Sequence, residues 1–190
     1  MDLDVTHEFV RVDFARGASQ QDAPSGELAF ATRETTVGTV LAARSARGIC
    51  AILIGSEVRE VTAALAQQFP RNTLVRDDRK LDGDLEKILS FIEMPARGLD
   101  LELDMYGTPF QRRVWEALRG IPPGRTVTYA ALACRIGEPG SARAVANACA
   151  ANALALAIPC HRVVRRDGTL SGYRWGVERK RALLARERQV

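Results

Sequence analysis

The sequence predicts a mixed α+β fold, with an α/β sheet domain in the first half and a mainly helical domain containing a helix-turn-helix in the second. Strand-like apolar runs separated by turn residues fill residues 27–55. Amphipathic segments of helical period follow, and helical patterns broken by Gly and Pro occupy the chain from residue 107 onward. We predict a flexible tail over residues 1–24, the sheet domain over 25–106 and the helical domain over 107–190.

The elements of the first half are predicted from period and turn residues. Three short strands cover residues 27–55, with breaks at RETTVG and SARG. Ser56 is the expected N-cap of a helix whose apolar stripe is Val58, Val61, Leu65 and Phe69. Residues 82–94 predict a second helix that ends before Pro95, and residues 98–110 alternate as a strand and then break. This half contains no evident catalytic constellation.

The second half predicts helices. The first has four inward residues, Phe110, Val114, Trp115 and Leu118, and ends at GIPPG. A short helix, a turn at Gly137 and a second helix from about Ser141 fit a helix-turn-helix, although many helical hairpins share this pattern. The second helix, SARAVANACAA, carries small residues and one long cation, Arg143. Such a surface permits close approach to a partner, and a tightly packed core helix is the alternative.

Charge is divided unevenly along the chain. The net charge is +4, but residues 107–190 hold 15 Lys or Arg against 5 Asp or Glu, a balance of +10 that leaves −6 for the remainder. This asymmetry favours contact with a polyanion, whereas a solvated arginine-rich surface is the simpler alternative. No apolar run has the length of a membrane span, and the acidic start does not resemble a signal peptide. We therefore expect a cytoplasmic protein with no membrane partner.

The four cysteines are not spaced as zinc ligands, and only His7 and His161 accompany them, so we predict no metal site. A disulfide framework is not expected in a reducing compartment. Cys50, Cys134 and Cys149 lie in apolar patterns and are predicted to be buried.

Cys160 differs because His161 follows it directly. A cysteine attacks as the thiolate, which a neighbouring base and the positive charges of Arg162, Arg165 and Arg166 would favour. Adjacent side chains point apart in a strand, so the pair can cooperate only in a turn or through a water molecule. A purely structural Cys–His pair is the alternative. A cysteine protease is disfavoured, since the other histidine lies in the predicted tail.

The motif PCHRVV at residues 159–164 resembles the active-site signature of the O6-alkylguanine-DNA alkyltransferases, or methylated-DNA–protein-cysteine methyltransferases. The resemblance covers nearly all of residues 107–187 and is closest to the C-terminal part of the bacterial adaptive-response proteins. It implies a ribonuclease-H-like N-terminal domain and a winged-helix-like C-terminal domain. It further implies a monomer that needs no cofactor, binds the minor groove of duplex DNA without sequence preference and flips O6-alkylguanine, and also O4-methylthymine, into a pocket. The alkyl group would pass irreversibly to the protein, once per molecule.

The resemblance also implies roles for individual residues in the transfer. Cys160 is the alkyl acceptor, His161 deprotonates it through a water molecule, and Glu187 orients the imidazole. Tyr129 donates a proton toward guanine N3 and helps to rotate the phosphate, and Asn152 ties the second helix of the helix-turn-helix to the active-site turn.

The resemblance implies a second group of residues that contact DNA and the extruded base. Arg143 is the finger that fills the place of the extruded base, on a close-packing surface formed by Ser141, Ala142, Ala144 and Ala150. The backbone N–H of Ser171 meets the O6 atom, and the carbonyls of Cys160 and Val163 read the exocyclic amine. Trp175 is expected to narrow the pocket and to disfavour large adducts.

One departure limits what the resemblance implies, and two alternative functions are disfavoured. The zinc-binding and transcription-activating region of the adaptive-response proteins has no counterpart here, so we expect neither phosphotriester repair nor gene activation. Alkyltransferase-like lesion binders lack the acceptor cysteine, which is present here as Cys160. A regulator that reads the major groove would need several base-reading side chains on the second helix, which is mostly alanine.

Overall fold

The computed structural model describes residue 24, residues 26–170 and residues 172–188. The predicted tail over 1–24 therefore lies outside the described residues apart from Pro24, and Ser171 lies outside them as well.

A four-stranded sheet forms from the described residues of the first half. Its strands are β1 (Glu27–Thr35), β2 (Gly38–Arg44), β3 (Ile49–Gly55) and β4 (Thr73–Arg76), in the order β3-β2-β1-β4. β2 pairs antiparallel with both β1 and β3, and β4 pairs parallel with β1. The first three strands confirm the prediction. β4 was missed because four residues carry too little periodicity.

Two helices pack against this sheet: α1 (Val58–Gln68), which contacts β2 and β3, and α2 (Asp78–Glu93), which contacts β1 and β2. Helix α2 begins four residues earlier than predicted, because Asp77 serves as its N-cap and accepts a hydrogen bond from the Lys80 N–H at 3.0 Å. It ends before Pro95, as predicted, where a 3-10 turn over Pro95–Arg97 follows.

The predicted start of α1 is wrong in detail. Glu57 is its N-cap, and Ser56 lies one residue earlier, where its N–H donates to Glu60 and its hydroxyl accepts from Arg179. Val58 is 41% exposed, so the buried stripe begins only at Val61.

The strand predicted within residues 98–110 is absent. Pairing there lasts for one residue, Leu103, which bridges Ile49 at the free edge of β3. Ile49 donates to the Glu102 carbonyl and accepts from the Asp104 N–H, both at 2.8 Å. A segment with alternating apolar residues forms a strand only where a partner strand continues alongside it, and here the partner is in register for one residue.

The second half contains α3 (Pro109–Arg119), α4 (Tyr129–Arg135), α5 (Ala142–Ala150) and α6 (Val177–Glu187). Between them lie two short parallel strands, β5 (Val127–Thr128) and β6 (Val163–Val164), and a 3-10 turn over Cys160–Arg162. Helices α3, α4 and α5 pack together, with the Trp115 indole N–H donating to the Ala148 carbonyl at 2.8 Å. The predicted helices are confirmed, although Phe110 is half-buried.

The chain is thus a mixed α+β fold, as predicted, and one cluster of buried apolar side chains runs through both halves. The division into domains at residues 106 and 107 stays a prediction. We call residues 27–93, which hold the four-stranded sheet and its two helices, the sheet region. Within the described residues, no helix combines the length and hydropathy needed to cross a membrane.

Candidate active site

The segment that leads to Cys160 is attached to the edge of the sheet. Ile52 of β3 donates to the Ala153 carbonyl at 2.8 Å and accepts from the Ala155 N–H at 3.0 Å. Leu154 thereby occupies a strand-like position on the free edge of β3. The sheet region therefore holds the approach to the candidate nucleophile.

Leu156, which follows directly, adopts a left-handed backbone conformation with φ of 69°. A buried leucine in this conformation costs on the order of 1–3 kcal/mol, so the surrounding contacts must impose it. They include the hydrogen bond from Ala157 N–H to the Ala155 carbonyl at 2.7 Å and that from Ile158 N–H to the Leu154 carbonyl at 2.9 Å. This backbone strain lies four positions before Cys160.

A tight turn at Pro159 places Cys160, as the sequence predicts. Pro159 has φ of −79° and ψ of 61°, and the Cys160 N–H donates to the Ile158 carbonyl at 2.7 Å, which together form an inverse γ-turn. The 3-10 turn over Cys160–Arg162 begins immediately. Cys160 and His161 therefore lie on a turn instead of pointing to opposite faces of a strand.

Asn152 connects the end of α5 to this turn and is fully buried. Its amide nitrogen donates to the Cys160 sulfur at 3.3 Å and to the Ile158 carbonyl at 2.9 Å. Its amide oxygen accepts from the Leu154 N–H at 2.8 Å. One side chain therefore contacts both the loop backbone and the thiol, and the role of Asn152 in coupling the helix to the turn stays a prediction.

The thiol of Cys160 is 4% exposed, and its burial raises its pKa. The Asn152 hydrogen bond and the charges of Lys180 and Arg174 act in the opposite direction. These two cations replace the predicted arginines: Arg162 is paired with Glu187, and Arg165 and Arg166 are exposed. Cys160 is therefore a buried thiol that needs a base to ionise.

His161 is fully buried beside the thiol, and its Nε2 lies 2.8 Å from Oε1 of Glu187. Burial lowers the pKa of His161, against the opposing effect of Glu187, so the imidazole is neutral at neutral pH. An ionised carboxylate only accepts, so Nε2 carries the proton and Nδ1 keeps a free lone pair. Nδ1 has no hydrogen-bond partner among the described residues.

Two side chains of the active-site turn, those of His161 and Arg162, bind the Glu187 carboxylate at once. Arg162 donates to its carboxylate through Nη2 at 2.7 Å and through Nε at 3.0 and 3.1 Å. Burial by itself would raise the pKa of Glu187, but the hydrogen bonds from His161 and Arg162 outweigh it and lower that pKa to about 2. Glu187 is therefore a permanent anion that holds two consecutive residues of the active-site turn.

An aromatic wall covers the same turn. The rings of Trp175 and Tyr173 meet edge to face at 5.1 Å, and Tyr173 meets His161 in the same way at 6.4 Å. Trp175 is buried, and the Tyr173 hydroxyl has no hydrogen-bond partner within the described chain. Val163, also predicted in the pocket, is buried, and its carbonyl accepts from Lys180 Nζ at 2.6 Å.

Tyr129 begins α4 directly after β5, the parallel partner of β6. Val127 pairs with Val163 and Thr128 with Val164, so Tyr129 begins α4 directly beyond the strand that follows Cys160 and His161. Thr128 caps α4 by accepting from the Ala131 N–H at 3.1 Å. Tyr129 is half-buried.

The helix α5 presents a small-residue face. Arg143 and Ala144 are exposed, and Ser141, Ala142 and Ala150 are half-exposed. The opposite face, formed by Val145, Ala148 and Cys149, is buried. The helix is therefore only half buried, which fits the prediction of a surface for a partner better than that of a core helix.

The other cysteines divide between two environments. Cys50 and Cys149 are buried, as predicted, and burial raises the pKa of Cys50 to about 12. Cys134 is exposed, which corrects the prediction, because α4 turns Leu132 and Ala133 inward instead. The described residues contain no group of three or more His, Cys, Asp or Glu placed to share a metal ion.

Sequence reasoning missed three residues that surround Cys160: Tyr173, Arg174 and Lys180. The signal for Lys180 was present, since it shares a helical stripe with Leu183, Leu184 and Glu187, all of them buried. No local pattern marks Arg174, whose partners Gln68 and Asn152 are distant in the chain.

Comparison with known proteins places this geometry in a family. The sequence model described as "6-O-methylguanine DNA methyltransferase, DNA binding domain" matches residues 109–189. The chain is 49% identical over 158 residues to the Escherichia coli bifunctional transcriptional activator/DNA repair enzyme Ada, covering 83% of this chain and 45% of Ada. The chain thus spans less than half the length of that relative.

A relative of similar length and several solved structures extend the match. The methylated-DNA–protein-cysteine methyltransferase of Candida albicans is 36% identical over 170 residues, which cover 84% of this chain and 96% of the relative. The crystal structure of Mycobacterium tuberculosis O6-methylguanine methyltransferase aligns with a TM-score of 0.68 at 33% identity, over 85% of this chain and 93% of that one. The M. tuberculosis OGT in complex with DNA aligns with a TM-score of 0.68 at 31% identity, over 86% and 93%. This chain belongs to the methylated-DNA–protein-cysteine methyltransferase family.

Proposed function

We propose that this protein repairs O6-alkylguanine in duplex DNA by direct reversal, transferring the alkyl group irreversibly to its own Cys160. One observation carries the proposal. The buried thiol contacts Asn152 at 3.3 Å and is followed on the same turn by His161, whose Nε2 is held by Glu187 at 2.8 Å. A nucleophile, a base and an orienting carboxylate in series are the parts of an activated cysteine.

The base in this scheme is Nδ1 of His161. Because Nε2 donates to Glu187, Nδ1 is the nitrogen that can take the thiol proton, through an intervening water molecule. The imidazolium that forms is stabilised by the adjacent carboxylate, whose pKa of about 2 keeps it ionised. Exclusion of water around Cys160 leaves the thiolate poorly solvated and therefore strongly nucleophilic.

Bond changes in the transfer balance without a cofactor. The thiolate attacks the alkyl carbon in line with the O6 atom, the carbon–oxygen bond breaks and a carbon–sulfur bond forms. The electron pair stays on the guanine, which takes up a proton as it leaves. Tyr129 supplies that proton toward N3, in keeping with its place at the start of α4 beside the active-site strand.

The product limits each molecule to one reaction. An S-alkyl cysteine is a thioether with no good leaving group, so Cys160 is not regenerated. The activity is that of a suicide methylated-DNA–protein-cysteine S-methyltransferase, acting as a monomer on O6-alkylguanine and O4-methylthymine.

Duplex DNA is the proposed partner, bound in the minor groove without sequence preference. An alkyl carbon inside the stack cannot be reached in line by a thiolate, so the base must be extruded. The exposed small-residue face of α5, with Arg143 rising from it, suits insertion into a narrow groove. The +10 balance of residues 107–190 supplies phosphate contacts that do not depend on sequence.

We assign the extruded base to a pocket between Cys160, Val163 and Trp175. The Val163 carbonyl accepts one hydrogen bond from Lys180, and a carbonyl has a second lone pair for the exocyclic amine. The ring of Trp175 narrows this pocket. Ser171 lies outside the described residues, and the contact of its backbone N–H with the O6 atom stays a prediction. As part of the same proposal, the sheet domain of residues 25–106 is ribonuclease-H-like. The domain of residues 107–190 is winged-helix-like, and α4 and α5 form its helix-turn-helix.

Intact-mass measurement tests the function. The protein is incubated with a duplex that carries one O6-methylguanine, and one methyl group is expected on Cys160 at one equivalent, with guanine restored in the DNA. Cys160→Ala should gain no mass. Cys134→Ala, which removes the exposed thiol, is the matched control and should react fully. An unchanged parent mass, or methylation at Cys134, would refute the proposal.

A further inference from the structure

Arg174 joins the sheet region to the active-site turn. Its Nη2 donates to Oε1 of Gln68 at 2.7 Å, and its Nη1 donates to the Asn152 carbonyl at 3.2 Å. Gln68 is the last residue of α1, 106 positions away in the chain, and Asn152 follows α5. The guanidinium also lies over the Trp175 ring, 5.8 Å from its centroid.

The position of Arg174 bears on Cys160 in two ways. It holds the backbone of Asn152, whose side chain donates to the Cys160 sulfur at 3.3 Å and to the Ile158 carbonyl at 2.9 Å. It is also a charge that attracts the thiolate: Arg174 lowers the pKa of Cys160, opposing the dominant effect of burial. Burial lowers the pKa of Arg174 itself, and the thiolate raises it again.

We propose that Arg174 is a positioning residue for alkyl transfer, which couples the sheet region to Cys160 by holding Gln68 and Asn152 together and by placing a positive charge that favours the thiolate. The transfer step rests on the proposed function, but the effect on thiol ionisation does not. The sheet region would thereby contribute to reactivity as well as to folding.

Several ionisable groups face Cys160 besides Arg174. Lys180 of α6 is the other cation, and its charge also lowers the pKa of the thiol. Tyr173 and Cys149 are buried and interact with the thiolate, and burial raises the pKa of each. His161 is the base on the same turn. Because Lys180 remains in any Arg174 variant, a partial shift in thiol ionisation is expected.

Arg179 provides a matched control for a side chain that only anchors this segment to the sheet region. It anchors the same segment to the sheet region, donating to the Val37 carbonyl and to the Ser56 hydroxyl, both at 3.0 Å. Its third bond goes to the Trp175 carbonyl at 2.9 Å, and it makes none to Asn152. Replacing either arginine removes an anchor of similar kind, but only Arg174 acts on Cys160 through Asn152.

The experiment measures the rate at which iodoacetamide modifies Cys160 from pH 6 to pH 10, followed by peptide mass spectrometry. In Arg174→Gln the apparent pKa of Cys160 should rise by about one unit, so that the rate at pH 7 falls about tenfold. Arg174→Lys keeps the charge and should restore most of that rate. Arg179→Gln should lower the melting temperature and leave the apparent pKa at its parent value.

Repair of an O6-methylguanine duplex is measured in parallel, with Gln68→Ala included. Gln68→Ala keeps both the charge and the bond to Asn152, so it should slow repair severalfold with little change in the apparent pKa. The proposal is overturned if Arg174→Gln leaves the apparent pKa unchanged, or if Arg179→Gln shifts it equally. If the parent fails on DNA while the Arg174→Gln shift persists, the proposed function fails and the electrostatic role of Arg174 stands.

Discussion

His161 and Glu187 form a buried hydrogen bond, 2.8 Å between Nε2 and Oε1, although 26 positions separate them in the chain. Arg162 donates to the same carboxylate. The last residue of α6 therefore fixes two consecutive residues of the turn that carries Cys160.

Replacing Glu187 by Gln should lower the single-turnover repair rate by about 100-fold or more, the usual range for loss of a positioned base. The amide no longer fixes which imidazole nitrogen carries the proton, so Nδ1 is no longer reserved for the thiol. The rate is measured with excess protein over O6-methylguanine duplex. Glu178→Gln, on the exposed first turn of α6, should repair at the parent rate. Equal rates for the two variants would contradict the assignment.

Acid should destabilise the parent through Glu187. Its pKa lies at about 2 in the folded protein against an ordinary 4.5, so its contribution is complete above pH 4.5 and is lost as pH falls through 2. The shift corresponds to on the order of 3 kcal/mol. Urea unfolding at pH 7, 4 and 2 should show the difference between the parent and Glu187→Gln shrinking toward low pH. A difference that stays constant would argue against the depressed pKa.

Asn152→Ala should both destabilise the protein and slow repair. Removing the side chain leaves the buried Ile158 carbonyl and Leu154 N–H without their partner, a loss of about 1–3 kcal/mol. It also frees the Cys160 sulfur from its donor, so single-turnover repair should slow at saturating DNA. Asn147→Ala, an exposed asparagine on α5, should change the unfolding free energy by less than about 0.5 kcal/mol. An equal loss of unfolding free energy in Asn147→Ala and Asn152→Ala would show that the destabilisation is not specific to Asn152.

Arg143→Ala should impair repair of duplex DNA and spare reaction with a free base. Holding a base out of the stack costs a few kcal/mol, so duplex repair should slow by more than about tenfold. Transfer from the free base O6-methylguanine should proceed at the parent rate, because no base has to be extruded. Arg181→Ala, another exposed arginine, serves as the control on α6. A parallel fall with both substrates would place Arg143 in the transfer chemistry instead.

Trp175→Ala should widen the range of adducts that are repaired. The ring is buried against Tyr173 at 5.1 Å, and its removal leaves room beside the active-site turn. The ratio of benzyl to methyl transfer from duplex substrates should rise. Because the ratio is taken within each protein, partial unfolding of the variant cancels. Identical ratios in the parent and the variant would exclude Trp175 as a size filter.

The elements predicted well are those whose signal is local. Alternating apolar residues and turn residues define β1, β2 and β3, and the small residues after Ser141 define α5. The strand expected within residues 98–110 has the same local signal, but Leu103 is the residue of that segment that pairs with β3. Whether a sheet edge is free to pair with a segment depends on the folded sheet. A short stretch of sequence does not carry that information.

The candidate site also contains residues with a local sequence signal and residues that only the fold brings to the site. The motif around Cys160 and His161 predicts the acceptor and the base, whereas the charges beside the thiol are predicted to come from arginines adjacent in sequence. In the folded chain those charges come from Lys180 and Arg174, which tertiary packing brings to the sulfur. Arg162, the nearest arginine in sequence, is neutralised by Glu187 instead.

The one-residue bridges of Leu103 and Leu154 also cover part of the free edge of β3. All seven residues of β3 are buried, and an uncovered edge of so apolar a strand is a template for intermolecular β pairing. Leu154 belongs to the loop that leads to Cys160, so the loop that delivers the nucleophile also guards against aggregation. Release of this loop would therefore expose that part of the β3 edge to pairing with another chain.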